Sequence, residues 1–184
     1  MKPVLILDLY GTLLSIPEGE YSISPLARDQ LLTKQNPIVS PYLHNCLIKQ
    51  KEKVGIFEET IEFLKKASGD YRLVCMSNLS FHFVECFKKW KLDTYIHETI
   101  FSCNEGIRKP QPVIYLRVRR KYPQSKIYMV GDSYMNDYLI PRELEIESFW
   151  LDRREMNQDD EKKRKINPRH RITTLMELFE RVER

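Results

Sequence analysis

Asp8, Lys109, Asp132 and Asp137 are the residues whose types and spacing could do chemistry. Asp8 follows Val4–Leu7, an apolar run with the composition of a strand buried on both faces. A carboxylate is costly to bury unpaired. Its place at the end of such a run has two readings: a functional carboxylate, or the cap of the turn made by Gly11 and Thr12. Two further apolar runs also end in polar groups. Arg72–Met76 leads into Ser77-Asn78, and Ile127–Val130 leads into Gly131-Asp132, with Asp137 close behind. Arg108-Lys109-Pro110 lies between them. Three carboxylates brought together repel unless a cation or a lysine neutralises them. Hard oxygen ligands that leave room for water suit Mg²⁺. A carboxylate, a lysine and a small hydroxyl around such an ion match phosphoryl transfer to an enzyme nucleophile.

These groups meet only if the runs lie side by side. Strand-like and helix-like segments alternate along the chain, which predicts an α/β fold: a Rossmann-like parallel sheet with helices on both faces. In such sheets ligands bind outside the carboxyl ends of the strands, where all three polar ends would converge. Ile96–Phe101 and Ser148–Leu151 read as further strands. Helices are predicted over Phe57–Ala67, ended by Gly69, and over Phe81–Trp90 and Pro112–Lys121. Asp137–Leu144 reads as a helix or turn interrupted by Pro141. Glu155–His170 is polar and reads as a mobile loop, and Ile172–Val182 as a closing amphipathic helix capped by Thr173 or Thr174.

Residues 15–55 break this rhythm. They hold Pro17, Pro25, Pro37 and Pro41, show no strand alternation, and carry two helical patterns near Ser24–Lys34 and Ser40–Lys53. Each begins with Ser-Pro, a helix cap followed by a favoured first residue. The reading is a core of residues 1–14 and 56–184 with a small helical insertion over 15–55.

The chain has 184 residues, enough for one domain with a real core. No apolar run approaches membrane-spanning length. The N-terminal apolar run stops at Asp8 with no small-residue cleavage site, so no signal peptide is expected. Cys46, Cys75, Cys86 and Cys103 are scattered without a Cys-x-x-Cys pair, as in a cytoplasmic protein with reduced thiols. The net charge of +4 gathers partly at Lys88–Lys91, Arg117–Lys121 and Lys162–Lys165. These clusters are solvated faces, or they attract an anionic substrate; no aromatic-interleaved basic motif points to nucleic acid.

Asp8-Leu9-Tyr10-Gly11-Thr12, Ser77-Asn78, Lys109-Pro110 and Gly131-Asp132-Ser133-x-x-Asn136-Asp137 resemble, in order, the four motifs of the haloacid dehalogenase-like (HAD-like) hydrolase superfamily. The resemblance spans Val4 to Leu151, and Ile172-Thr173-Thr174-Leu175 resembles the end of such domains. It implies a Rossmann-like core with residues 15–55 as a reduced cap. It implies Asp8 as the nucleophile of a covalent aspartyl intermediate, with Ser77 and Asn78 on the transferred group and Lys109 neutralising Asp8. It implies Mg²⁺ held by Asp8, the Tyr10 carbonyl and Asp132, with Asp137 in support through water or Lys109. Thr12 would fix the turn or touch the substrate.

One departure divides the implied function. Phosphatases of the superfamily usually carry a second Asp two residues after the nucleophile, as general acid and base; this chain has Tyr10. An unperturbed phenol can donate a proton but is a poor base at neutral pH. Tyr at this position resembles the metal-independent 2-haloacid dehalogenase branch, as do Ser77-Asn78-Leu79-Ser80 and Tyr115, which is otherwise a core residue of its helix. Asp132 leans the other way, since that branch has Ser-Ser-Asn where this chain has Asp132-Ser133-Tyr134. The branch also takes the halide with a cap arginine, and only Arg28, otherwise a surface residue, is available here. The leading expectation is a Mg²⁺-dependent phosphatase of a small phosphorylated substrate, slowed by the missing acid. The alternatives are a metal-independent 2-haloacid dehalogenase and a binding or scaffold protein of low activity.

Overall fold

The computed structural model describes residues 2–15, 25–34, 37–153 and 166–182. Six strands form one parallel sheet in the order β5-β4-β1-β6-β7-β8. They are β1 (Val4–Leu7), β4 (Arg72–Ser77), β5 (Glu98–Phe101), β6 (Ile127–Gly131), β7 (Glu147–Leu151) and β8 (Arg171–Ile172). The central strand β1 pairs with β4 and β6, with Leu7 opposite both Cys75 and Val130. That register places all three polar ends at one edge of the sheet, Asp8 and Asp132 just past the last paired residues of their strands and Ser77 at the last paired residue of β4. It is the α/β arrangement expected from the alternation of runs.

The apolar runs are continuous because both faces of the sheet are covered, yet alternate residues serve different cores. Leu5, Leu7, Leu73, Cys75, Tyr128, Val130 and Phe149 point into one cluster. There they meet Phe63, Leu64 and Ala67 of helix α3 (Thr60–Asp70) and Phe87 of α4 (Val84–Lys89). Val4, Ile6, Val74, Met76, Ile127 and Met129 point the other way, onto Ile114, Tyr115 and Val118 of α6 (Pro112–Lys121). The four cysteines are free thiols, and Cys75, Cys86 and Cys103 are buried. Among the described residues no helix is long and apolar enough to cross a membrane.

Between Leu14 and Ile56 the chain leaves and returns through a two-stranded antiparallel ribbon, β2 (Leu14–Ser15) with β3 (Gly55–Ile56). The excursion holds two helices, α1 (Pro25–Thr33) and α2 (Pro41–Glu52). The Ser40 hydroxyl caps α2 by accepting from the Leu43 N–H at 3.2 Å; Ser24, read as the equivalent cap of α1, lies outside the described residues. Leu31 and Leu47 enter the same apolar cluster as α3 and α4. Among the described residues, two ion pairs tie the excursion to the rest, Asp29 with Arg108 at 3.0 Å and Lys51 with Glu85.

Several boundaries differ from the sequence reading. Helix α3 begins three residues later and runs through Gly69 to Asp70, because Phe57–Glu59 are used to leave β3 and pack the ribbon. The expected helix at Phe81 opens as a 3₁₀ turn, Phe81–Phe83, capped by the Ser80 hydroxyl. A π-type turn, Tyr134–Leu139, precedes the short helix α7 (Ile140–Glu143). Pro141 lies at the start of α7, where its missing N–H is not needed, and so does not interrupt it. Ile172 does not begin a helix: with Arg171 it pairs with Trp150 and Leu151 as β8. The closing helix α8 (Leu178–Arg181) follows a 3₁₀ turn fixed by a capping box of Thr174 and Glu177. Of the segment read as a mobile loop, residues 155–165 lie outside the described residues, with the Lys162–Lys165 cluster.

Candidate active site

Asp8 leaves β1 with its N–H bonded to the Val130 carbonyl at 3.0 Å, so the neighbouring strand fixes the backbone that carries its carboxylate. Lys109 arrives from the stretch between β5 and α6. Its ammonium lies 2.7 Å from Asp8 Oδ1 and 2.6 Å from Asp137 Oδ1, and all three side chains are buried. The second Asp137 oxygen accepts the Ser133 N–H at 3.0 Å, so both of its oxygens are engaged. Asp132 stands at the mouth. Although the residue is exposed, its carboxylate lies against Gly11.

Two glycines make room for this crowding. Gly11 has φ +86°, and a Cβ there would come within 2.1 Å of Asp132 Oδ2. A Cβ on Gly131 would come within 2.4 Å of the Asp137 carboxyl carbon. At these positions the backbone must approach a carboxylate more closely than any side chain permits.

Oxygens of Asp8, Asp132 and Asp137 lie within 4.8 Å of one another, against the single ammonium of Lys109. The imbalance shifts their protonation. Burial raises the Asp132 carboxyl to about 7, with the charges of Asp8 and Asp137 adding to it. Burial raises Asp137 to about 6 as well, although Lys109 opposes the shift. Burial alone would lower Lys109, but the Asp137 and Asp8 carboxylates outweigh it and hold the amine charged, well above its ordinary value. A hard, oxygen-binding divalent cation fits this set: it would supply the positive charge the carboxylates lack. Protons and such a cation compete for the same oxygens. Affinity for such a cation is therefore expected to fall as pH drops through about 7 to about 6, where the Asp132–Asp137 pair takes up protons. Calorimetric titrations across that range check this.

Supporting groups come from distant parts of the chain. The Asn78 amide donates to the Lys109 carbonyl and accepts the Lys109 N–H, each at 2.8 Å, so the side chain is spent on placing the lysine backbone. The Trp150 indole N–H donates to the Asp132 carbonyl at 2.8 Å. The Tyr115 hydroxyl donates to the Asn136 carbonyl at 2.6 Å and so braces the turn that carries Asp137. Tyr115 is fully buried. The placing role of Trp150 had no signal in the sequence.

The remaining candidates are spread around this cluster. Ser77 is buried at the end of β4. Thr12 is fully buried, and its hydroxyl has no partner among the described residues. The Tyr10 hydroxyl donates to the Phe83 carbonyl at 2.9 Å, and its ring meets Phe83 edge to face. Burial, followed by the neighbouring Cys86 thiol, pushes the phenol well above its ordinary value. Arg28 is exposed on α1.

Comparison with known proteins adds the family context. A model of the HAD-hydrolase-like family matches residues 106–178, which include Lys109, Asp132 and Asp137. No curated protein matches the chain in sequence. Among solved structures, the HAD family enzyme bt-2542 from Bacteroides thetaiotaomicron, in complex with magnesium and inorganic phosphate, is similar with a TM-score of 0.65 and 17% identity, over 82% of this chain and 94% of that one. A 2-haloacid dehalogenase from Pseudomonas syringae pv. Tomato DC3000 is similar with a TM-score of 0.68 and 16% identity, over 98% of each chain. The putative HAD-hydrolase YfnB from Bacillus subtilis, bound to magnesium, is similar with a TM-score of 0.70 and 14% identity, over 97% of each chain.

Proposed function

The chain has the fold of the HAD-like hydrolases and carries that family's sequence signature over residues 106–178, and from that premise we propose that it is a Mg²⁺-dependent phosphatase with Asp8 as nucleophile. The observation that carries this reading is the carboxylate cluster: three oxygens within 4.8 Å of one another, with one lysine between two of them. Asp8, Asp132 and the Tyr10 carbonyl would hold Mg²⁺, with Asp137 in support. The ion would supply positive charge at the phosphoryl oxygens as negative charge shifts in the transition state.

The chain's own residues divide the remaining work. Asp8 Oδ1 accepts from Lys109, which leaves Oδ2 for attack on phosphorus. The P–O bond to the leaving group breaks as the new one forms, giving an aspartyl phosphate and an alkoxide that takes a proton. Water then attacks phosphorus, and inorganic phosphate leaves with Asp8 regenerated. Lys109 and the Ser77 hydroxyl hold the phosphoryl oxygens. Tyr10, with its hydroxyl on Phe83, is not placed to protonate the leaving oxygen, so water or the substrate does so and turnover is slow. Residues 15–55 act as the cap in this reading, over a core of 1–14 and 56–184, and the substrate is small and anionic.

Calorimetry with Mg²⁺ on the parent protein and on Asp132→Asn tests the metal site. The parent is expected to bind, and the variant to bind at least about 100-fold more weakly. No binding by the parent at millimolar Mg²⁺ removes the reading.

A second reading, a metal-independent 2-haloacid dehalogenase, is favoured by Tyr10 standing where phosphatases carry a second Asp. It requires halide release from 2-haloacids that persists in a chelator. Against it stand Tyr115, whose hydroxyl is committed to Asn136, and Arg28, which is exposed.

A further inference from the structure

The loop that carries Asp8 closes on itself from one side only. The amides of Thr12, Leu13 and Leu14 converge on the Leu9 carbonyl at 3.4, 2.8 and 2.9 Å, and the Gly11 N–H reaches the Leu14 carbonyl at 2.7 Å. Groups distant in sequence satisfy the other side. The Leu13 carbonyl accepts the Phe57 N–H at 3.3 Å and the Thr60 hydroxyl at 2.8 Å. The Thr12 carbonyl accepts Arg153 Nη2–H at 2.6 Å. The other arm of the same guanidinium pairs with Glu59, and its plane lies 4.0 Å from the centre of the Phe57 ring. Glu59 also accepts the Leu175 N–H, at 3.0 and 3.1 Å.

The guanidinium thus joins the exit of the Asp8 loop to the return of the chain from β3, and its partner Glu59 carries the link on to the closing turn after β8. Thr12 is fully buried, so its carbonyl would be left unsatisfied without Arg153. Glu59 would lose its cation in the same change. Only a planar, forked donor can serve a carbonyl and a carboxylate at once while stacking on an aromatic ring. A lysine offers a point charge and one direction.

We propose that Arg153, held by Glu59, is the positioning residue of the Asp8 loop: it fixes the loop's exit, and with it the aim of the nucleophile, without touching the substrate. The kinetic consequence rests on the phosphatase reading above; the ordering of the loop does not. On that reading Ser77, at the end of β4, and Lys109, in the loop before α6, hold the phosphoryl group, so a loosened loop misaims Asp8 while binding persists.

The experiment pairs amide hydrogen exchange with steady-state hydrolysis of p-nitrophenyl phosphate, on the parent, Arg153→Lys and Glu59→Gln. In Arg153→Lys, exchange at Leu13 and Leu14 is expected to rise about tenfold while Val74 and Met129 in the sheet are unchanged. In the same variant kcat falls about tenfold with KM within about twofold, and Glu59→Gln falls between. In Arg153→Ala, millimolar guanidinium restores part of kcat where ammonium does not. If that variant fails to fold, Arg153→Lys decides. Unchanged exchange at Leu13 and Leu14, exchange that rises evenly across the sheet, or a normal kcat with a loosened loop each overturns the proposal. If the parent hydrolyses no phosphate ester, the phosphatase reading fails, and the exchange pattern alone decides the role of Arg153.

Discussion

On the proposed phosphatase reading, Asp8→Asn is expected to abolish turnover of phosphate esters, by about 10⁴-fold or more, while the protein stays folded. The amide matches the carboxylate in shape and still offers an oxygen to the Lys109 ammonium, but it cannot form the acyl phosphate. The variant also removes one negative charge from a cluster in which three carboxylates share one lysine. Its unfolding midpoint in chelator is therefore expected not to fall, although its activity does. That separation of stability from activity is the mark of a site under electrostatic strain for function. Phosphate release followed on parent and variant, with thermal unfolding in EDTA, checks both halves. A scaffold protein would show no loss, because there would be no turnover to lose.

Lys109→Met is expected to be the most damaging single change to the fold among the site residues. It deletes the cation that holds Asp8 at 2.7 Å and Asp137 at 2.6 Å, in a place from which solvent is almost excluded. Breaking a buried pair leaves uncompensated charge, at a cost of about 3–5 kcal/mol. The deficit depends on pH. Without Lys109 the Asp137 and Asp132 carboxyls, already raised by burial, rise further. The penalty relative to the parent is then small below the parent's folded-state values of about 6 and about 7 and grows as pH rises through them. Denaturant titrations at pH 5 and pH 7.5 should show the variant closer to the parent at the lower pH. Mg²⁺ at about 100 times the variant's own Kd should stabilise the variant by about 2.7 kcal/mol over its metal-free form, because the ion binds the folded state alone. An equal deficit at both pH values would mean that packing and not charge is what Lys109 supplies.

The sequence made the centre of this site legible for a local reason. Asp8, Ser77 and Asp132 each follow an apolar run directly, and parallel pairing sends such ends to one edge. Lys109 was legible only through its order among motifs, since nothing near Arg108-Lys109-Pro110 says where the loop folds. The braces were not legible at all. Trp150 bonds the Asp132 carbonyl, Tyr115 the Asn136 carbonyl and Arg153 the Thr12 carbonyl, and each bond joins a side chain to backbone far away in the sequence. No periodicity records such a bond. Asn78 was read for its polarity and placed toward substrate, whereas its amide is matched to a backbone N–H and C=O pair. The strand β8 was missed because two residues are too short to show alternation, and the threonines after Ile172 look like a helix start.

The sheet's rims bear on how the protein behaves in a crowded solution. β7 holds Phe149, Trp150 and Leu151, a segment whose open edge would invite a neighbouring chain to add a strand. β8 takes that edge with two residues, and its Arg171 is tied to Asp152. The opposite rim, β5, begins with Glu98, which is paired with Lys121. Each border of the sheet is thus short and carries an ionic side chain, so neither offers a run long enough to seed a fibril. Chains shortened before Arg171 would bare the aromatic edge of β7, and the first symptom would be clouding of the solution well before any change at Asp8 could be measured.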